Sequence, residues 1–208
     1  MGSLFWGVTT SGCAIAPVRL SDADRAVEAD EYDDQVVHWT RRAEQYEDFL
    51  SRIFVYATFR GWSFRQAQIA HRAETERLPD VDVARLRARE LAESTAGHDF
   101  FMAVHTHDWA WNRLERTGDD AIWRLRLLND QGDSVAPLEI QRLGTRDPRY
   151  TRLYPHYREF YVGYLVRFPR TTDDGREILR DGIGRFTVRI GGPQAVVDLK
   201  WEVVKEAP

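Results

Sequence analysis

The chain has 208 residues and a mass of 24.2 kDa, enough for one large domain or two small ones. Hydrophobic residues at 43% and charged residues at 30% exclude a disordered chain, and no apolar run approaches the ~18 residues of a membrane-spanning helix. A net charge of −4 gives no global basic field for nucleic acid, and a single cysteine excludes both an intramolecular disulfide and a Cys-based zinc site.

That cysteine, Cys13, ends the stretch LFWGVTTSGC. Ser11, Gly12 and Cys13 match the last three positions of a lipobox, with Thr10 where leucine is usual, and LFWGV matches the end of an apolar signal core. The segment resembles the processing site of a bacterial lipoprotein. The resemblance covers about a dozen residues and implies a truncated signal over 1–13, a lipid on Cys13 and a tether over 14–20. It implies residence at the bacterial envelope, on the outer membrane by the sorting rule for a residue other than Asp after the cysteine. The alternative is a buried structural thiol in a cytoplasmic protein.

Ser21 to about Gly61 reads as one long helix. Ser21 and Asp22 are N-cap candidates, and Asp24, Glu28, Asp30 and Glu31 place negative charge near its positive end. Val36, Trp39, Ala43, Tyr46, Leu50, Ile53 and Ala57 follow in alternating steps of 3 and 4, the spacing of a heptad seam. Trp62 to Leu78 reads as a second helix. Pro79 interrupts it, Val81 to Ala96 resumes it, and Gly97 ends it. Together these predict a helical hairpin over 21–97.

From His98 the hydrophobic period changes to two. Trp123, Leu125 and Leu127 alternate with arginines, as do Phe186, Val188 and Ile190 with Arg185, Thr187 and Arg189. Val197, Leu199, Trp201 and Val203 repeat the pattern, and EFYVGYLVRF is apolar on nearly both faces. Turn sequences such as NDQGD and TTDDG separate about seven such strands with no helix between them. This predicts an antiparallel immunoglobulin-like sandwich over 98–208, and an α+β protein in which the helical hairpin packs on it.

Two segments bear chemistry. In HTHDW, His105 and His107 share a strand face, and Asp108 follows, a possible divalent-metal set. In the arginine- and tyrosine-rich run from Arg149, the residues Tyr150, Arg152, Tyr154, Tyr157 and Arg158 have the composition of a protein-binding hot spot. No nucleophile elbow and no phosphate cradle occurs, so no catalytic residue is assigned. The sequence therefore predicts a non-catalytic envelope lipoprotein, a structural or adaptor subunit without a cofactor. Its partners would be other envelope proteins and the membrane surface, not nucleic acid. The rivals are a metal-dependent enzyme using His105 and His107, and a small-ligand carrier with a hollow sandwich.

Overall fold

The computed structural model describes residues 15–21, 23–47, 50–143 and 146–204; Cys13 and the lipobox lie outside them. Helix α1 is Tyr32–Trp39, followed by strands β1, Thr40–Glu47, and β2, Leu50–Phe59. Helices α2, Trp62–Thr75, and α3, Asp80–Ala96, come next, then β3, His98–Thr106, and β4, Arg124–Asn129. The short strands β5, Ser134–Val135, and β6, Glu139–Arg142, lead to α4, Pro148–Leu153. The strands β7, Val162–Phe168, β8, Arg185–Gly191, and β9, Val196–Glu202, complete an α+β protein.

The long helix expected up to Gly61 is not formed. Only Tyr32–Trp39 of the seam region is α-helical, and residues 40–59 are an antiparallel pair of strands. Residues four apart share a face in a helix and in a strand alike, so Ile53 and Ala57 satisfy both templates. The intervening Val55 and the following Phe59 decide between them. Both are buried beside Ile53 and Ala57, a period of two that no helix can place on one side. The β-branched and aromatic content of RIFVYATF favours the same outcome. Tyr46, inward on the heptad template, is 55% exposed.

Helices α2 and α3 do lie where the sequence places them. Pro79 is the extended N-cap of α3, where its missing amide hydrogen costs nothing, and Gly97 stands at the other end. Beyond Gly97 the chain returns directly as β3, antiparallel to β2, with Phe59 opposite Phe100 and Ile53 opposite Thr106. The sheet thus runs across the division expected at Gly97, and the helical hairpin over 21–97 gives way to a mixed unit. The tether expected over 14–20 is also docked at Val18, which is buried. Its amide donates to the Glu202 carbonyl at 2.7 Å, and its carbonyl accepts from the Val204 amide at 2.9 Å.

Two antiparallel sheets result, one of order β1-β2-β3-β7-β6 and one of order β5-β4-β8-β9. Seven strands do arise from 98–208, but β4 pairs with β5 and β8. An immunoglobulin order would keep this second strand in the sheet of the first and fifth. The sheets share one core. Phe59 and Phe100 from the first meet Phe186 and Trp201 from the second, with ring centroids 5.3 Å (Phe59–Phe186) and 5.5 Å (Phe100–Trp201) apart. Trp201 stacks on Phe186 at 5.0 Å and donates its indole N–H to the Trp39 carbonyl at 2.9 Å, tying α1 to the sheets.

The outer face of the five-stranded sheet is covered unevenly. At one end α2 and α3 lie over it through a buried ionic cluster. Arg65, 0% exposed, donates to Glu90, to Glu93 and to Asp99, and Arg167 of β7 holds Asp99 with two bonds of 2.7 and 2.8 Å. Burial would push the Glu90 carboxyl up, but Arg60 and Arg65 outweigh it and hold the group below its ordinary value. Such a cluster fixes how the helices sit more than it adds net stability. At the other end, toward Tyr46 and Ser51, no helix among the described residues lies on the sheet.

Candidate functional site

On the uncovered end, alternation sets side chains of three strands on one surface. Arg42 pairs with Tyr56 across β1 and β2, Glu44 with Phe54, and Phe54 with His105 across β2 and β3. Directly opposed residues share a face, so Arg42, Glu44, Phe54, Tyr56 and His105 all point away from the core. The segment before β7 borders this surface with His156, Phe160 and Tyr161.

The rings form a continuous chain. Tyr46 meets Phe54 edge-on at 5.4 Å, and Phe54 lies 6.1 Å from His105. His105 lies 6.0 Å from Tyr161, Tyr161 meets Tyr56 at 5.7 Å, and Tyr56 stacks on His156 at 5.2 Å. The Arg42 guanidinium sits 6.0 Å from the Phe54 ring centre and 5.8 Å from that of Tyr56, and is paired with Glu44. Edge-on and cation–π contacts hold these rings in place and leave them half-buried, with Tyr46 exposed. Phe160 is 64% exposed. Burial pushes the Tyr161 hydroxyl up and the His156 imidazole down to about 4, so both are neutral at pH 7.

The metal candidates are not assembled. His105 donates Nδ1–H to the Phe160 carbonyl at 2.9 Å, which anchors the loop to the sheet. His107 lies past the end of β3 and is exposed. Asp108 accepts from the Ala110 amide at 2.8 Å and caps a turn of helix. Among the described residues no three His, Cys, Asp or Glu side chains converge into a metal-holding group.

The arginine–tyrosine segment divides by burial. Tyr154 and Tyr157 are core residues, which corrects their assignment as partner contacts. Tyr154 stacks on Phe101 at 3.8 Å, and its hydroxyl accepts from Gln68 at 3.3 Å. Phe101 is an outward residue of β3 that needs cover, and Tyr154 supplies it. Tyr150 is half-buried, parallel to the same ring at 5.8 Å. Arg152 and Arg158 remain exposed. The sequence reading missed Arg42, Phe54 and Tyr56 because it placed them on a helix. The β-branched and aromatic run from Ile53 to Phe59 was the one local hint of a strand there.

No protein-family model and no curated protein matches the chain. A crystal structure of a protein of unknown function from Burkholderia pseudomallei K96243 aligns with 83% of this chain and 84% of its own. The identity is 16% and the TM-score 0.44.

Proposed function

We propose that the protein is a non-catalytic adaptor that binds another protein through the aromatic face around Phe54, Tyr56, His105 and Phe160. The supporting observation is a connected run of half-buried aromatic side chains on one sheet face and the segment beside it, with Phe160 and Tyr46 more than half exposed. Large rings at the centre and charged groups at the rim, here Arg42, Glu44 and Arg158, are the composition of a protein interface. Strands hold these groups with little freedom left to lose, which lowers the entropic cost of association.

In the same proposal the protein is tethered at a bacterial envelope by a lipid on Cys13. Four residues lie between Cys13 and the docked Val18, so the five Cα–Cα steps of an extended linker would reach about 17 Å. The body and its aromatic face would then stay close to the bilayer, within range of other envelope proteins. Two measurements test this. Intact mass of the protein expressed from its natural start in its own host should show a mature chain beginning at a lipidated Cys13; an unmodified Cys13 removes the tether. Affinity capture from the host envelope should recover partners with the native protein and lose them with a Tyr46→Ser, Phe160→Ser variant. Recovery of the same partners by that variant refutes the aromatic face as the interface.

A further inference from the structure

Away from the aromatic face, the β2–α2 junction, the start of β3 and part of the segment 170–181 enclose a recess of about 410 Å³. That volume is within the usual range of small-ligand sites, roughly 300–1,000 Å³. Trp39, Phe59 and Trp62 supply aromatic walls. Gly61, Trp62 and Ser63 present the N-terminal end of α2, a fourteen-residue helix whose first turn is capped by no side chain. The first amides of a helix have no intrahelical acceptor, and its dipole adds positive potential there.

A second observation points to a ligand. His98 is 7% exposed, lines the recess, and makes no hydrogen bond with any described residue. Its ring nitrogens are not sealed off by protein atoms and open on the recess that the residue lines, where a ligand could meet them. The charges around it are mixed. Arg60, Arg170 and Arg180 line the recess, and Glu177 and Asp181 stand at its exposed rim. The guanidiniums are held by Glu90 at 3.1 Å, by the Ser94 carbonyl at 3.0 Å and by Asp133 at 2.7 Å, so they are fixed in place and two of them are balanced, which leaves the α2 N-terminus and His98 to meet an anion.

We propose that this recess binds a small organic carboxylate with a planar apolar body. The carboxylate would lie against the α2 N-terminus and His98, and the body among Trp39, Phe59 and Trp62. An inorganic anion would use only the first half of the site, and an uncharged aromatic only the second.

Benzoate and acetate separate these cases. In ¹³C-labelled protein at pH 7, benzoate should move the His98 Cε1–Hε1 resonance saturably, with an apparent Kd at least tenfold below that of acetate. Bound carboxylate should also raise the His98 pKa, since the anion favours the imidazolium. Absence of a saturable shift up to about 10 mM benzoate overturns the proposal, as does equal affinity for acetate. A His98→Gln variant with native circular dichroism should bind benzoate about tenfold more weakly by tryptophan fluorescence. Unchanged binding in that variant also overturns it. The resonance test on the native protein needs no variant to fold.

Discussion

Acidification from pH 7 to pH 5 should destabilise this protein well before its carboxylates titrate. Burial and the nearby Arg170 guanidinium lower the His98 pKa to about 3, and burial lowers that of His156 to about 4. In the unfolded chain each returns to about 6.5. Between the folded and unfolded values the unfolded state binds the extra proton, so stability rises with pH across this interval. It is fully present above the unfolded value and is lost as pH falls toward the folded one. At pH 5 each histidine should cost about 2 kcal/mol relative to pH 7, and the two together about 4 kcal/mol. Glu90, held below its ordinary value, stays ionised in the folded state at pH 5, so its loss comes later. Urea denaturation at both pH values, in buffers free of carboxylates, measures the difference. His98→Gln and His156→Gln should each recover about half of the loss. Parallel stability curves for the native protein and both variants would refute the claim that these imidazoles are buried in the neutral form.

Arg65→Met removes the buried cation between Glu90 and Asp99, leaving Arg60 and the exposed Arg89 on Glu90 and Arg167 on Asp99, and should cost about 3–5 kcal/mol, read as a lowered Tm. Trp201→Ala empties the space beside Phe186 and orphans the Trp39 carbonyl; a loss of about 3–5 kcal/mol in urea denaturation is expected. Gly192→Ala should destabilise measurably in the same assay, since a Cβ there would stand 2.6 Å from the Ile122 carbonyl oxygen and the Trp123 ring. Tyr46→Ser and Phe160→Ser should each change stability by no more than about 0.5 kcal/mol, because both rings are exposed. A large loss would mean that the face is structural.

The candidate surface was legible in fragments. His105 and the arginine–tyrosine segment are conspicuous in sequence, and both border the aromatic face. Their roles were not legible. The metal reading needs a third ligand from elsewhere in the chain, and only the fold could say that His105 is bonded to the Phe160 carbonyl. Likewise Tyr154 and Arg152 look alike as parts of a hot spot. Their burial differs because Phe101, some fifty residues earlier, needs a ring stacked on it.

Local chemistry by itself determined much of this protein. Pro79 fixed the start of α3 through backbone geometry, and strict alternation fixed β4, β8 and β9 with their buried faces. Those signals are complete within a few residues. Residues 40–59 are different. Their apolar spacing contains Ile53 and Ala57, which suit a helix and a strand equally, and flanking helices bias a local reading toward helix. The choice was made by β3, which offers a full ladder of backbone partners from Ile53 to Phe59 and a hydrophobic inner face for Val55 and Phe59. A strand acquires its hydrogen bonds and half of its burial from another part of the chain, so only the tertiary structure could decide it.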